Sequence, residues 1–124
     1  MKYRVIKCVI VAVLAFSACN DQTTKPSRLL TNGDPDRGKT ALTNYGCVAC
    51  HTIPGVYGSN SLTAPPLIGI SQRSYLAGML ENTPANLRSW IQHPRKVNPH
   101  TAMPEQGMTD QDASDMAAYL YTVR

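Results

Sequence analysis

One continuous apolar run, Cys8 to Phe16, opens the chain, and three later segments carry helix signals. Asp34-Pro35 is a capping residue followed by a residue suited to a first helical position, which predicts a helix to about Tyr45, ended by Gly46. Gly38 lies inside it, at a cost of up to about 1 kcal/mol relative to alanine. It is either a tolerated surface glycine or a point where a second helix comes too close for a side chain. Thr83-Pro84 opens another helix to about His93, where Pro94 stops it. Leu87, Trp90 and Ile91 fall on one of its faces. Thr109 with Asp112 forms an acidic variant of the capping box and starts a last helix to about Val123. Its apolar stripe is Met116, Tyr119, Leu120 and Val123. Ile53 to Ile70, rich in Gly, Pro, Ser and Asn, reads as irregular loop, as does Asn98 to Gly107. No segment alternates convincingly as a strand. The expectation is one small all-α domain with three or more helices and long loops. Such long loops are unusual in so small a domain. A large apolar cofactor on which they pack resolves this.

The first apolar run is not fold. Lys2, Arg4 and Lys7 precede it, and small residues Ser17 and Ala18 follow. That is the pattern of an export signal, too short for a transmembrane helix. Leu14 to Cys19 resembles a bacterial lipobox, with Phe16 where leucine is usual. Cleavage and acylation at Cys19 is the favoured reading, since that cysteine has no other evident use. Ordinary cleavage after Ser17 is the alternative. Two or more acyl chains would anchor the protein stably. Asn20 to Gly33 is polar and reads as a flexible tether, roughly 20 Å end to end. The expected division is signal 1–18, tether 19–33 and folded domain 34–124. The formal charge of +4 also changes meaning here. From Cys19 onward, nine basic residues stand against eight acidic ones, and no basic block suggests nucleic acid.

The chemistry is concentrated in Cys47-Val48-Ala49-Cys50-His51. C-x-x-C-H is the attachment pattern for a c-type haem. The two thiols match the separation of the haem vinyl groups, and the following histidine is placed to bind iron on one face. A zinc half-site or a thioredoxin-like pair are the alternatives. Zinc would want a second ligand pair, which Cys8 and Cys19 cannot supply. No βαβ alternation follows to support a thioredoxin-like site. For the second axial ligand, Met79 and Met116 sit in apolar or helical runs and are expected in the core. Met108 is a loop candidate. Met103, in Thr101-Ala102-Met103-Pro104, lies in an extended loop where a thioether can be aimed without helical constraint.

From Asp34 onward the chain resembles class I cytochrome c, with the elements in family order. Gly38 and Leu42 stand where the N-terminal helix has them, and Ala64-Pro65-Pro66-Leu67 resembles the proline loop on the histidine side. Leu87 to Pro94 resembles the helix leading to the methionine loop, and Pro99 to Pro104 that loop. Asp115 to Leu120 resembles the C-terminal helix, whose aromatic residue packs across the glycine of the first. Cys50 to Gly55, Gly69 to Arg73, Asn82 to Leu87 with Trp90, and Met103-Pro104 are similar to the cytochrome c domain of bacterial haem-copper oxidase subunit II. This chain lacks the copper domain. The resemblance implies a class I cytochrome c fold with long loops wrapped around one haem c, covalent through Cys47 and Cys50. It implies His51 and Met103 on iron. It also implies a hydrogen bond from His51 to the carbonyl of Pro66, or of Pro65 if the register slips by one. Arg73, Tyr75 and Trp90, and more weakly Asn82, would line the haem or meet its propionates, if they are not simply packed or solvent-exposed. The loop has His100 where the family has glycine. It is either exposed or competes with Met103 in a loosened state. His93 is expected at the surface, at a helix end.

The function implied is single-electron carriage on the periplasmic side of a bacterial membrane, without catalysis. The donor would be a quinol-oxidising complex or dehydrogenase, and the acceptor a terminal oxidase. A bound relay subunit of an oxidase or dehydrogenase complex is the alternative, and a peroxidase-like or gas-binding protein a further one.

Overall fold

The computed structural model describes residues 24–124. The signal and Cys19 lie outside the described residues. Among the described residues, five helices, two short 3-10 turns and one small hairpin follow in order. They are α1 (Thr24–Thr31), α2 (Pro35–Asn44), the turns Cys47–Ala49 and Ile70–Gln72, β1 (Tyr75–Leu76), β2 (Leu80–Glu81), α3 (Pro84–Gln92), α4 (Pro94–Val97) and α5 (Asp110–Leu120). Among the described residues, no helix is long and apolar enough to cross a membrane.

The caps act as the sequence predicts. Asp34 accepts from the amides of Asp36 and Arg37, at 2.9 and 3.2 Å. The Thr83 hydroxyl accepts from Asn86 N and that of Thr109 from Asp112 N, both at 3.1 Å. The Asp112 carboxylate in turn receives the hydroxyls of Thr109 (2.7 Å) and Tyr45 (2.8 Å), joining the end of α2 to the start of α5.

The centre is the crossing of α2 over α5. A Cβ built on Gly38 would stand 1.9 Å from the carbonyl oxygen of Asp115. The glycine therefore marks a close helix contact, and the surface alternative falls. The nearest atoms there are backbone atoms of Asp115 and Met116. Leu42, Leu87, Met116 and Leu120 close the core from the helices, and Ile53, Val56, Ile70 and Leu76 join it from the loops. Asp115 is buried in this crossing. Its carboxylate takes both Arg37 Nε (2.7 Å) and Nη2 (3.0 Å), the Asp34 amide (2.7 Å) and the Gln111 side chain (2.9 Å). Burial pushes its pKa up, but these hydrogen bonds, led by Arg37, outweigh burial and hold it below the ordinary carboxylate value.

Four expectations need correction. Residues 24–31, read as part of a flexible tether, form a helix docked on α5 through buried Ser27 and Thr31. Pro94 does stop α3, but its fixed φ also starts α4, and its ring is fully buried. A hairpin exists where no strand was expected, pairing Tyr75 with Glu81 and Leu76 with Leu80. Two-residue strands are too short to show an alternating pattern. Met79, in the turn of that hairpin, is exposed rather than in the core.

Candidate functional site

Gly46, at φ +72°, lets the chain reverse directly after α2. The amides of Cys50 and His51 both bond back to Cys47 O, at 3.3 and 3.0 Å. One tight turn thus presents two half-buried free thiols with His51 next in line. Burial pushes the Cys47 thiol above its ordinary pKa.

His51 Nδ1 lies 2.7 Å from the carbonyl oxygen of Pro65. A carbonyl can only accept, so Nδ1 is the donor here, and Nε2 is the nitrogen left for another partner. The acceptor is the one-residue register alternative, not Pro66. The loop is laced to place Pro65 there: Ala64 N bonds Cys50 O at 2.8 Å, and Leu67 N bonds Thr52 O at 2.9 Å. Ser59 adds a clamp that sequence reasoning missed. Its buried hydroxyl donates to His51 O (2.8 Å) and accepts from Ile53 N (2.6 Å). A serine in a polar loop carries no sequence signal for this.

Pro66 and Arg73 act together in another way. Arg73 Nη2 donates to Pro66 O (2.5 Å) and Ile68 O (3.2 Å), tying the proline loop from its far side. Asn82 Nδ2 donates to Ile70 O and Arg73 O, both at 2.7 Å, and so fixes the following 3-10 turn. Tyr119 reaches from α5 to Pro54 O at 2.7 Å. Tyr75 is exposed on β1 and Trp90 half-buried on α3. Neither is drawn into this hydrogen-bonded set.

The methionine loop is a succession of small side-chain turns. Asn98 Oδ1 accepts from His100 N (3.0 Å), and Thr101 Oγ1 accepts from Met103 N (3.2 Å). Met103 is half-buried between exposed Ala102 and Pro104, Met108 packs against the core, and Met116 is fully buried. His93 and His100 are both exposed.

This donor set fits a covalent haem. Two thiols share one turn, and the adjacent imidazole has one nitrogen tied to a carbonyl and the other left for a partner. The fold and site define a class I, all-α cytochrome c. The comparisons agree: residues 35–124 match the family model described as Cytochrome c. The chain belongs to the cytochrome c family, whose haem c is held covalently through the cysteines, here Cys47 and Cys50. It is 33% identical to cytochrome c2 of Rhodopila globiformis over 105 residues, covering 74% of this chain and 95% of that protein. It is 26% identical over 104 residues to cytochrome c oxidase subunit 2 of Alkalihalophilus pseudofirmus, covering 83% of this chain and 28% of that one. It is also 27% identical over 88 residues to the subunit 2 of Bacillus sp. (strain PS3), covering 68% and 25%. The chain thus spans about a quarter of the length of the oxidase subunits it matches. Family membership makes it a haem protein of electron transfer.

Proposed function

We propose that this chain is a one-electron carrier acting on the periplasmic side of a bacterial membrane, anchored there through acylated Cys19. It passes electrons from a quinol-oxidising complex or dehydrogenase to a terminal oxidase. His51 Nε2 and the Met103 thioether bind the iron, which supplies the reversible one-electron step. The observation that carries this reading is the His51–Pro65 hydrogen bond. It leaves one ring nitrogen able to ligate and holds the imidazole against rotation. With Met103 as the second ligand, the iron would have no open site for oxygen or peroxide. A thioether there raises the reduction potential relative to a second histidine, which suits delivery to an oxidase.

The visible spectrum of the ferric protein tests this. A low-spin spectrum with the weak far-red band of methionine sulfur on iron is expected. In Met103→Ala that band disappears, and the potential falls by on the order of 0.1 V, within the ~0.8 V that axial ligands span. Equal potentials and equal binding of added ligands in the two proteins would defeat the carrier reading.

The two oxidase subunits favour a second reading, since there the similar segment is part of a longer chain. On it, this protein is a bound relay within an oxidase or dehydrogenase complex. Copurification with such a complex from detergent-solubilised membranes distinguishes this from a free carrier.

A further inference from the structure

Helix α1 is mounted inside out. Ser27 and Thr31, four residues apart and so on one face, are 2% and 4% exposed against α5. Thr31 Oγ1 donates to Ser27 O at 2.7 Å, which satisfies the hydroxyl within the helix. Leu29, on the opposite side, is 87% exposed, and Leu30, on the flank next to it, is 58% exposed. A helix on a water-soluble body ordinarily buries its leucines and turns its hydroxyls outward.

The mounting is rigid. A Cβ on Gly33, just after α1, would stand 2.1 Å from the backbone oxygen of Ser114, so the chain is pressed directly against α5. Arg28 pairs with Asp34 (3.1 Å) and Asp36 (3.7 Å), fixing α1 to the start of α2. The helix cannot roll its leucines inward without breaking these contacts.

What covers the leucines follows from the chain just before the helix. Only four residues separate Cys19 from Thr24, a span of at most about 18 Å. The eight-residue helix adds about 12 Å. An acyl-anchored Cys19 therefore holds the leucine face within reach of the lipid surface.

We propose that the Leu29–Leu30 face of α1 inserts into the membrane interface and sets the orientation of the whole domain on the bilayer. This rests on the anchor reading given above. Apolar side chains of an interfacial helix sit roughly 5–10 Å into the headgroup and acyl boundary. Two leucines, held rigidly beside an anchor, convert a swivelling attachment into a fixed one. The domain then meets a membrane-embedded partner in one pose.

The test uses the full chain, exported and haem-loaded, reconstituted into vesicles of phosphatidylethanolamine and phosphatidylglycerol. Leu30→Cys and Lys39→Cys, both exposed positions, carry a nitroxide label, and an unchanged visible spectrum confirms folding. Collisions with oxygen, which enriches in lipid, are compared with those of a water-soluble nickel chelate. Intact mass reads acylation of Cys19 independently. The expected result is an oxygen-to-nickel ratio severalfold higher at position 30 than at 39. Equal ratios in protein that pellets with the vesicles would overturn the proposal while leaving the anchor intact. Shielding of position 30 from both reagents would mean that protein covers the face, and would also overturn it. Unacylated protein that stays in the supernatant would overturn the anchor reading along with the proposal.

Discussion

The α2–α5 crossing and the loops from His51 to Asn82 are held together by different means. At the crossing, backbone meets backbone at Gly38, apolar side chains close around it, and a buried carboxylate collects four donors. In the loops, shape comes from single side chains bonding to main chain: His51 to Pro65, Ser59 to His51 and Ile53, Arg73 to Pro66 and Ile68, Asn82 to Ile70 and Arg73. Each such bond contributes on the order of 1 kcal/mol net. The helical frame is thus held by close backbone contact and buried side chains. The loops bury Ile53, Val56, Ile70 and Leu76 but leave Tyr57, Leu62, Ile68, Tyr75 and Met79 more than half exposed, which suits a partner surface supplied by a cofactor.

The largest effect should come from striking the frame. Gly38→Ala forces a methyl into the Asp115 carbonyl, and its cost is expected to be about 3 kcal/mol or more, since backbone must move. Denaturant unfolding of the haem-loaded protein measures it, and an unchanged midpoint would mean that the crossing is softer than drawn. Next is Asp115→Asn, expected to lose about 2 kcal/mol as the charged fork to Arg37 is broken. Arg37 remains largely hydrated, which keeps the loss moderate. The sign with pH is definite. A carboxylate whose pKa is lower folded than unfolded contributes fully above the unfolded value, about 4. That contribution is lost as pH falls from there through the folded value. Unfolding at a series of acid pH values should show a shallower pH dependence in the Asn variant than in the parent.

The smallest loss of stability, about 1–2 kcal/mol, is expected for Ser59→Ala, which strands one buried donor and one acceptor beside His51. Its effect should be local. Amide exchange should quicken around His51 to Ile53 and leave the α2 and α5 amides unchanged. Equal quickening in the helices would erase the distinction between frame and loops.

The frame was largely legible in the sequence because its signals are local. Asp34-Pro35, Thr83-Pro84 and Thr109 each mark a helix start through a side chain bonding two or three residues ahead. Gly38 announced a close approach, though only the three-dimensional arrangement shows that its neighbour is the backbone of Asp115. The loops were legible only as loops. Their order depends on bonds such as Asn82 to Ile70, whose partners carry no pattern linking them. The Pro65/Pro66 choice turns on a one-residue register that adjacent prolines cannot disclose. Helix α1 escaped notice for a related reason: its buried residues are Ser27 and Thr31, and an apolar stripe facing the body was the signal sought.

The pairing of Arg37 with Asp115 joins residues 78 positions apart. It has a consequence for how the molecule is made. Helices so far apart in sequence cannot pack until synthesis has passed the second of them. Cys47 and Cys50 lie between them, in a turn made of local bonds. During synthesis both thiols are thus in place before the frame can shut around them.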